Sequence, residues 1–184
     1  MKITEENILE ESRNCNRKVL DSPLAAIELP GYERRFTPLH ILAIKGVVEV
    51  LKHPAVDKVK DIWLETPLHE LADVGNFEVL THNSVDKVKD RNGWTPLHFL
   101  IHNLSKSYLF NCSVPNQPRY IKESLEIEYF TKIYTLKKWL KEKYPWVNLA
   151  EKELTLSLIT EILNTPNAEK FIFSLFSDRP EITS

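Results

Sequence analysis

Three histidines are the residues of this chain whose type and spacing first suggest chemistry. His40, His69 and His98 recur every 29 residues, and imidazole nitrogens are common zinc ligands. The stretch HELAD at 69–73 also partly matches H-E-x-x-H, the helical motif in which two histidines bind zinc and the glutamate acts as a base. A histidine metal site, or a zinc hydrolase centred on His69, is therefore the first hypothesis to weigh.

The surroundings of these histidines argue against a metal. Each one closes a Thr-Pro-Leu-His stretch, and equivalent atoms of stacked helical units lie about 10 Å apart, whereas zinc ligands lie about 2 Å from the metal. In HELAD an aspartate stands where the motif needs its second histidine. His98 and His102 are four residues apart, but no third ligand is nearby, and we interpret His102 as a surface residue. We expect no metal, no cofactor and no catalytic residue.

Composition excludes other classes of function. The chain has 184 residues, a formal net charge of -2 and an isoelectric point near 6.3, so no excess of positive charge favours nucleic acid or an anionic membrane. The N-terminus is too polar for a signal peptide, and no stretch approaches the roughly 20 apolar residues that span a bilayer. Cys15 and Cys112 suit a reducing compartment. We expect a cytoplasmic protein that binds neither nucleic acid nor membranes.

The chain is built from an internal repeat. TPLH occurs at 37–40, 66–69 and 95–98, and VDKVKD occurs at 56–61 and 85–90, always 29 residues apart. Further identities at this spacing are a leucine at 42, 71 and 100, a glycine at 46 and 75, and a histidine at 53 and 82. One structural unit is therefore used several times.

The chemistry of the unit predicts two helices and a connecting finger. The threonine of TPLH can cap a helix, and its proline suits the first helical position, which needs no backbone N–H. Gly46 and Gly75 can end that helix in the left-handed conformation. A second, short helix has room only before Pro54 or Asn83. In the following VDKVKD we expect the valines to pack inward and the aspartates and lysines, such as Asp57 and Lys58, to face water.

These units resemble the ankyrin repeat over about residues 20 to 105. The three TPLH copies in register carry the resemblance, although the usual period of about 33 residues is shortened here by about four, within the second helix. Leucines at 42, 71 and 100 replace the usual small alanine and would fill the volume of the missing turn. Leu64 stands at the usual turn glycine of its finger, which leaves the geometry of that turn open.

The resemblance implies an all-α solenoid of ankyrin-like helix-turn-helix repeats between two different ends. We assign 1–21 to an N-terminal helical cap, in which residues 4–20 are expected to be helical, and 22–105 to the repeat array. We assign 106–184 to a C-terminal helical extension or cap. It should begin with a long helix, 120–143, whose two apolar stripes imply burial on two sides, and should continue in shorter helices after Asn148 and Thr165.

Ankyrin-like proteins generally bind protein partners through the finger tips and the exposed face of each first helix. Transferred to this chain, these positions are the ones that differ between copies while the scaffold is repeated. Aromatic and arginine side chains are favoured hot spots, so we rank Trp63, Trp94, Arg34 and Arg91 first; the alternative is that each tryptophan packs on a neighbouring finger. The candidate partner-binding residues are Arg34, Phe36, Ile62, Trp63, Glu65, Arg91, Asn92 and Trp94 in the fingers, with Glu33, and Lys45, Asp73 and His102 at the helix ends, with Ile44, Val74 and Asn103.

A second candidate surface lies in the C-terminal extension. Four lysines, at 137, 138, 141 and 143, surround Trp139, and Tyr144 and Trp146 follow. This group could be a basic, aromatic docking patch. The favoured interpretation is a helix C-terminus with the charges that suit its dipole and with aromatic core residues beneath it.

Three functions of different classes follow. The first is a non-enzymatic protein-binding module, an adaptor or an inhibitor, and such a small array would also suit a phage or pathogen factor that blocks a host protein. The second is an enzymatic or effector activity in the C-terminal segment, with the repeats as targeting arm. The third is a nucleic-acid binder, which the charge argues against. The protein-binding module is the prediction carried forward.

Overall fold

A computed structural model describes residues 2–31, 34–113 and 119–145 together with Leu158. This part of the chain is helical and contains no β-strand. Successive α-helices pack against one another, α1 on α2, α2 on α3, α3 on α4 and α4 on α5. The α-helices are α1 (Ile8–Arg13), α2 (Pro38–Ile44), α3 (Pro67–Asp73), α4 (Pro96–Ser113) and α5 (Arg119–Lys143), and the 3-10 helices are Arg17–Asp21, Pro23–Ala26, Val48–Lys52 and Phe77–Thr81.

Each TPLH stretch opens an α-helix, as predicted. The prolines occupy the first positions of α2, α3 and α4, and Thr37 and Thr66 are the extended residues that precede α2 and α3. Gly46 and Gly75 follow the ends of α2 and α3 with φ of 76°, a conformation that favours glycine. The predicted starts and stops of these helices are therefore confirmed.

The second helix of the first two TPLH units is a 3-10 helix of five residues. Its last turn closes with a bond between residues three apart, from His53 N–H to the Val50 carbonyl at 3.0 Å. A 3-10 helix rises more per residue than an α-helix, so it suits a unit that has lost about one helical turn. Short second helices were predicted; their 3-10 geometry was not.

The N-terminal segment predicted as helical over 4–20 contains two separate helices, an α-helix and a 3-10 helix, in the same order as in the units that begin with α2 and α3. Helix α1 ends at Arg13, Cys15 has φ of 57°, and a 3-10 helix begins at Arg17. The break has a local cause, because the side chain of Asn16 accepts the Lys18 N–H at 3.1 Å and so starts a new helical segment. Cys15 thus occupies the place that Gly46 and Gly75 take in the later units.

The core is a row of equivalent apolar side chains. Leu42, Leu71 and Leu100 are all 0 % exposed, which confirms that these leucines fill interior volume. A second row is contributed by the helix starts and a third by the 3-10 helices. Their buried members are Ile8, Leu39, Leu68 and Leu97, and Val19, Val50 and Val79.

Helix α5 packs against the last unit, and its bounds are close to the predicted 120–143. Leu136 and Leu140 are fully buried, and the Trp139 indole N–H donates to the Leu80 carbonyl at 2.8 Å. The hydroxyl of Tyr144 bonds the carboxylate of Asp86. The aromatic residues at this helix end therefore belong to the packing, as the favoured interpretation held.

The second apolar stripe of α5 is exposed, which corrects the expectation of burial on two sides. Ile127, Phe130 and Tyr134 are 68 %, 60 % and 71 % exposed. The reason is geometric, since Leu136 and Leu140 already turn the opposite side of the helix toward the array.

The two VDKVKD blocks place their valines as predicted but not all of their aspartates. Val56 and Val85 are buried. Asp57, expected to face water, accepts the Ser84 hydroxyl at 2.6 Å and so links two units. Its copy, Asp86, also departs from the expectation, because it pairs with Lys143 at 2.9 Å and its side chain is 5 % exposed.

Several predictions fall on residues outside those described: Glu33, Trp146 and the shorter helices expected after Asn148 and Thr165. None of the described helices combines the length and the apolar character that crossing a membrane requires.

Candidate protein-binding surface

The repeated histidines His40 and His69 connect neighbouring units through hydrogen bonds. In His40, Nδ1 accepts the Thr37 N–H at 3.2 Å, so the ring proton lies on Nε2, which donates to the Glu65 carbonyl of the next finger at 3.2 Å. His69 makes the same two bonds one unit later, at 3.0 and 3.1 Å. Burial lowers the pKa of both histidines to about 4. Both nitrogens of each ring are therefore committed to hydrogen bonds within the chain.

Two buried aspartates build the finger turns, which we define as residues 61–65 and 90–94. Asp61 and Asp90 are 3 % and 6 % exposed. Asp61 Oδ1 accepts the backbone N–H groups of Trp63 and Glu65 at 2.8 and 2.9 Å, and Asp90 makes the equivalent bonds at 2.8 and 2.7 Å. Each turn is closed further by a backbone bond from the aspartate N–H to the last residue, at 2.9 and 2.8 Å. The candidate fingers are therefore rigidly shaped.

The turn geometry that Leu64 left open is the same as in the other fingers. Arg35, Leu64 and Gly93 occupy one column of the repeat and have φ of 57°, 64° and 82°. Of the three, only Gly93 is a glycine, the residue type that a positive φ favours. Leu64 keeps the turn because the Asp61 carboxylate holds the N–H groups on either side of it.

Adjacent fingers are joined through their backbones. The Ile62 N–H donates to the Arg34 carbonyl at 3.2 Å, and the Arg91 N–H donates to the Trp63 carbonyl at 2.8 Å. Arg91 adds a second link, from its guanidinium to the Ile62 carbonyl at 2.9 Å. The finger tips consequently form one continuous row rather than independent loops.

Arg34 stands at the centre of a charged cluster, the charged junction, formed with Asp61, Glu65 and Glu70. Its Nη2 lies 2.8, 2.6 and 3.1 Å from one oxygen of each carboxylate. The same guanidinium lies over the Trp63 ring, 3.8 Å from its centroid. One cation therefore ties the first finger to the second finger, to helix α3 and to a tryptophan.

The charged junction holds more acid than base. Burial raises the pKa of Glu70 to about 7, although Arg34 opposes that rise, and burial likewise raises the pKa of Glu65. The three carboxylates have oxygens within 4.8 Å of one another, a spacing that could hold a metal ion. The Arg34 guanidinium bonds all three of them, so the cation of this cluster is supplied by the chain itself.

The next junction is aromatic instead. Trp94 stacks on His98, with ring centroids 5.9 Å apart and planes at 21°, and meets Phe99 and His102 edge to face at 5.9 and 5.7 Å. This aromatic junction comprises Trp94, His98, Phe99 and His102. Trp94 and Phe99 stand in the columns that Glu65 and Glu70 occupy one unit earlier.

The structure sorts the predicted partner-binding residues into exposed and packed groups. Phe36 is a correction, because it is 8 % exposed and stacks on His40 inside the chain. Arg34 is the centre of three salt bridges. The rings of Trp94 and His102 pack against each other. Ile62 and Glu65 are half-buried. The exposed members are Trp63, Arg91, Asn92, Lys45 and Asp73, with Leu64, Ile44 and Val74 beside them.

The helix ends line a groove that sequence reasoning did not find. Its volume is about 620 Å³, and it lies between the loops after α2 and α3 and the middle of α5. Ile44, Lys45 and Val74 contribute the array side, and Thr131 and Lys132 contribute the α5 side. Ile44, Lys45 and Val74 thus face an element that follows them by more than 50 residues, and no local pattern relates the two.

Sequence reasoning also missed the structural roles of Asp61, Asp90 and Glu70 in the finger turns and the charged junction. For the aspartates a signal existed, since both end a VDKVKD copy and such an identity is typical of scaffold. For Glu70 the signal was a charged residue in a column otherwise filled by Ile41 and Phe99.

In comparisons with known proteins, no protein-family model matches the chain, and no curated protein matches it either.

Proposed function

We propose that this chain is a short-repeat, ankyrin-like solenoid that acts in the cytoplasm as a non-enzymatic protein-binding module, an adaptor or an inhibitor. The proposed binding surface is the row of finger turns, with Trp63, Leu64, Arg91 and Asn92 as its exposed side chains. The partner is a protein that presents an apolar contact for Trp63 and a carboxylate for Arg91.

The observation that carries this proposal is the position of Trp63. Its side chain is 42 % exposed, yet its ring is held beneath Arg34 and its backbone is fixed by Asp61 and by Arg91. A large aromatic side chain that is exposed and already ordered loses little entropy on binding, which is a property of interface hot spots.

The repeat itself supports the same proposal. The threonine and histidine columns are identical in the three TPLH copies, and the aspartate that shapes the turn is the same at 61 and 90. The exposed finger columns instead hold Trp63 in one copy and Asn92 in the next. Variation at exposed positions on a constant backbone is expected of a surface that fits a particular partner.

The proposal is tested by capture of partners from a lysate of the native cell. The bait variant Trp63→Ala/Arg91→Glu is expected to lose at least tenfold of the captured partner, because it removes the aromatic anchor and reverses one charge. The matched control is Ile27→Ala/Lys58→Glu, which makes the same kinds of change at exposed positions outside the finger turns. Far-ultraviolet circular dichroism and thermal midpoints should agree among all three proteins.

Hydrogen exchange on the complex with the identified partner would then map the surface. Slower exchange confined to residues 61–65 and 90–94 is the expected result. Equal capture by both variants, or protection elsewhere only, would refute the assignment of the finger turns.

A further inference from the structure

Each finger turn is preceded by a short stem, which we define as residues 59–61 and 88–90. In each stem the valine packs against the core and the aspartate is buried. The lysine between them, Lys60 or Lys89, is exposed, because successive side chains of the stem point in opposite directions. The stems therefore add one exposed lysine to each finger turn.

Lys60 and Lys89 occupy equivalent places in consecutive units. Burial is the main cause that lowers the pKa of His69 and of His98, and the positive charges of Lys60 and Lys89, respectively, add to it. Each lysine thus lies near the histidine of the TPLH stretch that follows it. Among the described residues, no salt bridge includes either lysine, so both charges are available to a ligand.

Backbone hydrogen bonds set the distance between the two lysines. Within each finger turn the outgoing and the returning backbone are joined by the bond from the aspartate N–H to the last residue. One finger is joined to the next by the bond from the Arg91 N–H to the Trp63 carbonyl at 2.8 Å. Equivalent residues of consecutive fingers are therefore two backbone spacings of about 4.8 Å apart, which is about 10 Å.

No exposed anion accompanies these cations. In the stems and the finger turns, the exposed charged side chains are Lys60, Lys89 and Arg91. The aspartates that shape the turns are buried and accept backbone N–H groups, and Glu65 is half-buried and bonded to Arg34. Although the whole chain has a formal net charge of -2, this surface meets a ligand with positive charge.

We propose that the stems and finger turns bind an extended acidic segment of the protein partner, with a carboxylate at every third residue. This inference rests on the proposed function, because it names the chemistry that the partner presents to the same surface. A chain in the polyproline II conformation has three residues per turn and rises about 3.1 Å per residue, so side chains three residues apart lie on one side, about 9 Å from one another. That distance matches the separation of Lys60 and Lys89.

Trp63 and Arg91 extend the match. The exposed Trp63 ring belongs to the finger that follows Lys60, and polyproline II segments dock on surfaces that carry aromatic rings. Arg91 supplies a further cation beside Trp63, to which its backbone is bonded. A single-stranded nucleic acid could also stack on the ring, but surfaces that bind nucleic acid generally hold more cations than the three present here.

The experiment is fluorescence anisotropy of a labelled peptide, Glu-Pro-Pro repeated four times, titrated with the full chain at low ionic strength. We expect binding with a Kd of about 100 µM or less. A second peptide of the same length and composition has its glutamates at every second residue, so it contains no pair three residues apart. It should bind more weakly, by about threefold or more.

Charge reversal in the stems tests the assignment of the lysines. Lys60→Glu/Lys89→Glu should weaken binding of the first peptide by about tenfold or more, whereas Lys60→Arg/Lys89→Arg should retain it, because the charge remains. The matched control, Lys18→Glu/Lys52→Glu, makes the same charge change at exposed positions of two 3-10 helices and should bind as the wild type does. Circular dichroism spectra should agree among all four proteins.

Four results would overturn the inference. They are a first peptide that stays unbound at about 1 mM wild-type chain, binding that Lys60→Glu/Lys89→Glu retains, equal binding of the two peptides, and tighter binding of a twelve-nucleotide oligothymidine. Partner capture separates these results from a failure of the proposed function. Loss of the captured partner by Trp63→Ala/Arg91→Glu alongside an unbound peptide would remove the acidic segment alone. Unchanged capture alongside a bound peptide would refute the assignment of the partner to the finger turns.

Discussion

The two junctions between the TPLH units share one backbone but are filled by opposite chemistry. In both, a histidine donates a hydrogen bond to a backbone carbonyl of the next finger, His40 to Glu65 and His69 to Trp94. In both, a buried aspartate also shapes the finger turn. The charged junction is nevertheless closed by one arginine among three carboxylates, whereas the aromatic junction is closed by four rings.

This difference distinguishes residues that the backbone hydrogen bonds require from residues that only have to fill the space between units. Buried N–H and carbonyl groups need particular partners, so the threonine, histidine and aspartate columns are repeated. The residues between these columns need only fill the space and pair any polar or charged groups with one another. Either an ion cluster or an aromatic cluster can do this. The two solutions should, however, respond differently to pH, because only the charged junction holds several carboxylates around one cation.

The largest expected effect comes from removing the centre of each junction. Arg34→Ala leaves three neighbouring carboxylates without their cation and should lower the free energy of unfolding by about 3 kcal/mol at pH 8. Trp94→Ala should cost a similar amount, about 3 kcal/mol, through lost ring contacts. Urea unfolding at pH 8 and again at pH 6 distinguishes the two. Protonation of Glu70, whose pKa is about 7, should shrink the cost of Arg34→Ala. The cost of Trp94→Ala should change less, because the group that it uncovers, His98, has its pKa lowered by burial in the folded chain.

The control is Arg91→Ala, which removes an exposed arginine from the neighbouring finger and should cost less than about 1 kcal/mol at either pH. Costs for Arg34→Ala that do not change between the two pH values would show that the cluster does not act electrostatically.

A smaller effect, confined to the charged junction, concerns Glu70 itself. Its pKa is about 7 in the folded chain against a usual value of 4.5, so the folded state binds more protons between these values. The stabilisation is complete below pH 4.5 and is lost as the pH rises through 7. Glu70→Gln does not titrate and should therefore become more stable relative to wild type, by about 1–3 kcal/mol, between pH 5 and pH 8.

The buried histidines act in the opposite direction and must be separated from Glu70. With folded pKa values of about 4 against 6.5, His40 and His69 stabilise fully above pH 6.5, and this contribution is lost as the pH falls toward 4. Both histidines remain in Glu70→Gln, so subtracting the variant and wild-type curves cancels them. Glu10→Gln, the same exchange at an exposed glutamate of α1, is the matched control. A Glu70→Gln curve parallel to that of wild type would contradict the assignment.

Much of this architecture could be predicted because its causes are local. Thr-Pro at a helix start, glycine at a left-handed position and the identical columns each act over a few residues, and the described helices α2 to α4 begin where these signals stand. The N-terminal unit was missed because it has no TPLH and uses Cys15 where the later units use glycine. Its Val-Leu pair, at 19 and 20, nonetheless matches the pairs at 50 and 51 and at 79 and 80.

The binding surface was less predictable because neighbours decide what is exposed. Phe36 and Trp63 were both transferred as finger residues, yet one stacks beneath the chain on His40 and the other keeps 42 % of its side chain exposed. Arg34 could not be recognised as a cluster centre from the sequence, since its partners lie 27 to 36 residues away. Contacts between units depend on packing that the repeat period alone does not specify.

The smallest expected effect concerns the position of each finger turn that has a positive φ, which is Leu64 in one copy and Gly93 in the other. Gly93→Ala should destabilise by about 1 kcal/mol. A Cβ added at Gly93 meets no atom within 4 Å, so the cost would report backbone strain alone. Leu64→Gly should stabilise by about 0.5 kcal/mol, because the relief of that strain is partly offset by the greater freedom of glycine in the unfolded chain. Thermal midpoints should shift in opposite directions for the two variants, and a loss of stability in Leu64→Gly would mean that the half-exposed leucine side chain contributes packing that outweighs the strain of its φ of 64°.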